Sequence, residues 1–232
     1  MYQSNVTLEA PLLGAPYYQT RHYSMKFHQY RDELCYYMAM KPFEFDLIPG
    51  DRDVVIYVRD VTHESHESTL GEFNGVRRIY APPPRVFYDR ILEENRFEQV
   101  WIVGEPEILN SGHPTIGYLM EKYNAMIPHN GPDALKDLQF MSLARNIILS
   151  PSTFAWWAAY FSSCMTTLHF PIMPLETMLP WCELLPDRPR VKYYDWFRSL
   201  EFDDIVEARV VCDGYLDGKL GDITDESILS FY

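Results

Sequence analysis

The densest group of reactive side chains in this 232-residue sequence follows the apolar run Asp53–Arg59, where Asp60, His63, Glu64, His66 and Glu67 crowd into residues 60–67. A carboxylate or an imidazole in such a place can take the proton of an attacking hydroxyl. Asp60 directly follows the run, and His63 titrates in the useful range, so these two are the candidate bases. Arg59 presents a guanidinium fork that suits a pyrophosphate leaving group, or equally an ordinary ion pair with a neighbouring carboxylate. Ser152 and Thr153 stand where a helix should begin. Their hydroxyls either cap that helix or border a phosphate held by its first amides. Glu105 follows another apolar run and either accepts hydrogen bonds from a ligand or is a solvated turn residue. Asp51 and Asp53 spell D-x-D, but the pair precedes its strand and reads as a surface turn rather than a metal site. His63 and His66 have helical metal spacing without a third ligand. The four cysteines, Cys35, Cys164, Cys182 and Cys212, form no C-x-x-C pair and read as buried thiols.

Several elements must position these groups. Residues 53–59 and 98–103 are apolar runs of the kind buried on both faces of a parallel sheet. A shorter run, 146–149, is a third strand. Helices are expected over 25–40, 85–95, 113–126 and 133–145, with a further one starting near Phe154. Strand and helix therefore alternate, the pattern of βαβ units with a parallel sheet. Such sheets bind ligands beyond the carboxyl ends of their strands. From Leu168 the prolines at 171, 174, 180, 186 and 189 suggest a long connection wrapping the domain. The tail beyond Asp203 is expected to add a hairpin or strand.

The segment 137–162, DLQFMSLARNIILSPSTFAWWAAYFS, carries the most specific pattern. It resembles the C-terminal lobe of α-1,2-fucosyltransferases at Asp137, Met141, Ser142, Ser152, Thr153, Phe154, Trp156 and Trp157. A weaker likeness concerns the H-x-R-R-x-D motif of that family. Arg59 falls on its first arginine, while Tyr57 replaces the histidine and Asp60 the second arginine. The loop at Glu105 agrees in place with an acidic loop near the nucleoside. The resemblance spans about residues 53–170. It implies an α/β chain with a Rossmann-like parallel sheet of GT-B type and a reduced or truncated N-terminal acceptor lobe. Donor-binding residues would be Arg59, Glu105, Asp137, Ser152, Thr153 and Phe154, with Asp60, His63 and Arg59 catalytic. Trp156 and Trp157 are expected to pack the helix. The implied activity is inverting, metal-independent transfer of a sugar from a nucleotide sugar to a glycan or glycoprotein hydroxyl. The donor is GDP-fucose or a UDP-sugar such as UDP-xylose. A catalytically silent nucleotide-sugar or glycan-binding module is the alternative.

Composition bounds the rest. Hydrophobic residues make up 47% and charged residues 23%, enough for a sizeable core. The formal net charge of −13 makes nucleic acid a poor partner. Aromatic residues reach 15%, as core or as platforms for sugars. The division expected is an N-terminal segment over 1–50, a nucleotide-sugar domain over 51–200 and a C-terminal extension over 201–232. Neither a membrane span nor a signal peptide is read, which points to the cytoplasm, or to the Golgi lumen if an anchor lies outside this chain. No metal or cofactor is expected.

Overall fold

A computed structural model describes residues 30–39, 47–59, 83, 85–110, 112–128, 133–150, 152–171, 190–195 and 200–202. Their elements, in chain order, are α1 (Arg31–Ala39), β1 (Val54–Val58), α2 (Arg85–Asn95), β2 (Val100–Gly104), α3 (Pro106–Asn110), α4 (Pro114–Tyr123), α5 (Ala134–Ser142), β3 (Asn146–Ile148), α6 (Thr153–Phe161), β4 (Thr167–Pro171), β5 (Arg190–Asp195) and β6 (Leu200–Phe202). The strands form one 6-stranded sheet in the order β2-β1-β3-β4-β5-β6. Pairing is parallel from β2 through β5, and β6 joins antiparallel. This is an α/β, Rossmann-like sheet, doubly wound in the 2-1-3-4-5 sense.

The central strands are apolar on both sides because helices cover both faces. Val54, Ile56 and Val58 of β1 pack against Phe87, Ile91 and Leu92 of α2 and Ile116 and Leu119 of α4. Val55 and Tyr57 point the other way, into Phe140 and Met141 of α5 and Trp156 and Tyr160 of α6. The chain moves outward from β1 to β2 with α2 on one face, then returns past β1 to β3 with α5 on the other. The order therefore reverses between β1 and β3, and the carboxyl ends of those strands flank the natural ligand crevice.

Caps and ties fix the helices. The Asp133 carboxylate accepts from the Leu135 and Lys136 amides at 3.1 Å, as an N-cap should. Helix α4 starts with Pro114 after the His113 cap and stops at Asn124, which adopts the left-handed conformation (φ 51°). Asp89 of α2 accepts from the Tyr118 and Tyr123 hydroxyls of α4, each at 2.5 Å, and from Lys122 Nζ at 3.0 Å. Helix α1 docks through Arg31, whose Nε and Nη2 donate to the Tyr160 carbonyl at 3.2 and 3.0 Å. A cation at that point favours the carboxyl end of α6.

Two expectations need correction. Residues from Leu168 were expected to form a connection, yet 167–171 is a buried strand beside β3, and 190–195 extends the sheet. Pro171 is tolerated because it ends β4. The D-x-D turn is only half at the surface. Asp53 is buried and accepts from the Trp101 indole at 2.9 Å and the Gly50 amide at 2.8 Å. Asp51 is exposed and pairs with Arg145 at 2.6 Å. Both carboxylates lie at the amino end of β1, away from the crevice. No helix among the described residues is long and apolar enough to cross a membrane.

Candidate functional site

Parallel pairing aligns Val58 with Gly104 and Ile56 with Ile148, so β1, β2 and β3 run the same way and their carboxyl ends sit side by side. Arg59, Glu105 and Ser150 continue these strands. Gly104 lets the first two approach, because a Cβ there would stand 2.7 Å from the Val58 carbonyl oxygen. Arg59 Nε lies 3.7 Å from Glu105 Oε1, an ion pair between half-buried side chains. Glu105 also opens α3, its carbonyl accepting from the Ile108 and Leu109 amides at 3.0 Å each. The expected alternative of a solvated turn glutamate does not hold.

Tyr57 is the centre of the cluster, and sequence reasoning saw it only as a departure from a motif. Its side chain is on the same face as α5 and α6. The Phe154 ring packs on it at 5.4 Å between centroids. The Ser150 hydroxyl donates to its carbonyl. Burial, then the Glu105 carboxylate, pushes the phenol up to about 12, against the pull of Arg59 and the Ser152 hydroxyl, with Asp137 adding to the rise. Glu105, Arg59, Ser152 and Asp137 thus all act on one phenol in a poorly solvated place. At neutral pH Tyr57 is therefore a neutral hydroxyl, able to donate.

Ser152 is the N-cap residue of α6 by position, but its side chain makes no cap hydrogen bond. Its Oγ is fully buried and without a hydrogen-bond partner. It acts on the Tyr57 phenol at short range, yet the geometry falls short of a hydrogen bond. Of the two readings of this hydroxyl, helix cap or phosphate border, the capping bond is not made. Thr153, the first residue of α6, is half-buried, as is Phe154. Asp137 lies in the first turn of α5 and is almost wholly buried.

The structure thus packs Phe154 on Tyr57 and pairs Arg59 with Glu105 at the switch point, with Ser152 acting on the Tyr57 phenol and Asp137 the weakest of the charges that reach it. Of the charged groups here, one is a cation and two are carboxylates. Asp60 and His63, with Glu64, His66 and Glu67, lie outside the described residues. Trp156 is fully buried and stacks on Tyr160 at 5.0 Å, a packing role as expected. Among the described residues no three His, Cys, Asp or Glu side chains gather as a metal site. Cys35 and Cys164 are free thiols, while Cys182 and Cys212 lie outside the described residues. No family model, curated protein or solved structure matches this chain.

Proposed function

We propose that this chain is the donor-binding part of a GT-B glycosyltransferase, which takes a sugar from a nucleoside-diphosphate sugar. The observation that carries the reading is the Arg59–Glu105 pair at the carboxyl ends of β1 and β2, next to Tyr57, whose ring packs on Phe154 in the first turn of α6, at the switch point of the sheet. A diphosphate bound there would meet the guanidinium of Arg59 and the amides that open α6. Those groups favour the departing diphosphate as negative charge grows on it. The sugar's anomeric carbon would pass to an acceptor hydroxyl, with the bond to the diphosphate oxygen breaking and the hydroxyl proton going to Asp60 or His63. Glu105 would accept from the ribose. The donor is GDP-fucose or a UDP-sugar such as UDP-xylose, and the acceptor is a glycan or glycoprotein hydroxyl.

One observation favours the silent-binder reading: the only cation in the described cluster already faces a carboxylate. The test is a thermal-shift panel of nucleotide sugars and free diphosphates, followed by assays of donor hydrolysis and transfer. Stabilisation by one donor and by its diphosphate, with turnover, supports the transferase. Binding without turnover on any acceptor supports the silent module. Failure of every nucleotide to stabilise the protein rejects both.

A further inference from the structure

A buried hydroxyl with no partner is costly, because it has lost its hydrogen bonds to water and gained none. Ser152 Oγ is such a group, at an N-cap position where a serine ordinarily bonds the helix amides. Beside it is the Tyr57 phenol. The neighbourhood is fixed twice over, by the Ser150 hydroxyl on the Tyr57 carbonyl and by the Phe154 ring on the Tyr57 ring, with Ser152 between them in sequence. We propose that Tyr57 Oη and Ser152 Oγ form a two-donor subsite for one phosphate oxygen, which makes Tyr57 a ligand-contacting residue. This rests on the diphosphate reading above, and gives it a residue that reading did not include.

The chemistry of the pair fits an anionic oxygen. Both hydroxyls can rotate a proton toward the same point, and neither titrates near neutrality, so they add donors without adding charge. Glu105 and Asp137 act on the same phenol and would repel a fully exposed anion. Two neutral donors in a dry place offset that repulsion where a further cation is absent among the described residues of the cluster. Arg59, Glu105, Thr153 and Phe154 are each half-buried, so the edge of the cluster reaches solvent on that side.

Tyr57→Phe keeps the ring against Phe154 and removes only the hydroxyl. Isothermal titration of the full chain with UDP, GDP and inorganic pyrophosphate reads its effect. The expected result is about tenfold weaker binding of whichever diphosphate the unaltered protein binds, for one hydrogen bond to a charged group. Ser152→Ala should weaken it as well, and the double variant should lose less than the sum of the two. Should Tyr57→Phe fail to fold, Ser152→Ala alone carries the test. Unchanged affinity in both variants, with loss in Arg59→Ala, overturns the subsite and leaves the diphosphate reading standing. No binding of any diphosphate by the unaltered protein overturns both. Equal weakening for a nucleoside without phosphates marks Tyr57 as merely structural, and also overturns the proposal.

Discussion

Arg59 Nε stands 3.7 Å from Glu105 Oε1, so the cation ending β1 already faces a carboxylate ending β2. In a half-buried pair of this kind the mutual attraction is modest, about 1 kcal/mol or less. The carboxylate nonetheless occupies an edge of the guanidinium that a phosphate would use. Removing its charge should release that edge. Glu105→Gln is expected to bind inorganic pyrophosphate roughly fivefold more tightly, equivalent to about 1 kcal/mol. A nucleoside diphosphate should gain less, since the ribose loses a charged acceptor. Calorimetric titration with both ligands checks this, and weaker pyrophosphate binding would refute the competition.

Ser152 makes the opposite kind of prediction, a gain in stability. Its buried hydroxyl lacks a partner, so replacing the hydroxymethyl side chain by methyl removes a desolvation cost that no bond offsets. Ser152→Ala should raise unfolding free energy on the order of 1 kcal/mol. Urea denaturation measures this. A lower midpoint would mean the hydroxyl is held by a structural bond.

Gly104 acts through sterics. An added Cβ would meet the Val58 carbonyl oxygen at 2.7 Å, a backbone atom that cannot yield cheaply. Gly104→Ala should cost about 1–3 kcal/mol. It should also spread the ends of β1 and β2 and weaken nucleoside-diphosphate binding, because Arg59 at the diphosphate and Glu105 at the ribose would move apart. Unfolding curves and titration on the same sample test both halves, and an unchanged midpoint would show that the strands can part freely.

Asp89 predicts an acid response. Burial raises its carboxyl, but hydrogen bonds from Tyr118, Tyr123 and Lys122 outweigh that and hold it below the ordinary 3.8. A folded-state value below the unfolded one means stability that is present above pH 3.8 and lost as pH falls through the lower folded value. Asp89→Asn should therefore be less stable than the unaltered protein at neutral pH, and the difference should shrink on acidification below pH 3.8. Unfolding followed from pH 6 to 2 reads this directly, and a constant difference would contradict it.

Much of the sheet's centre was legible because its strands are continuous apolar runs and its helices carry caps. The range 85–95 appears as α2 with the expected bounds, and Asp133 caps α5 as its chemistry suggests. The right-hand part of the sheet was not legible. His169 interrupts the run Leu168–Phe170, and this buried histidine is held in the strand with Tyr194 Oη 2.8 Å from its Nδ1. That partner is on β5, far along the sequence, so no local pattern announces it. Strand β5 itself carries Arg190 and Lys192, which read as a polar linker. At the site, Arg59, Glu105, Asp137, Ser152 and Phe154 were legible as types at strand and helix ends. The role of Tyr57 was not, because it depends on the side chains gathered around it and on the face that β1 turns toward α6. The pairing of Arg59 with Glu105 was likewise hidden, since it needs the register of β1 against β2.

Amide hydrogen exchange, with and without a nucleoside diphosphate, tests the location of the ligand most directly. Slower exchange is expected at the amides of residues 153–155 and at the end of β1 near Arg59, with α2 on the opposite face unchanged. A nucleotide that stabilises the protein while leaving residues 153–155 and Arg59 unprotected would contradict it, as would the absence of any change with every diphosphate tried.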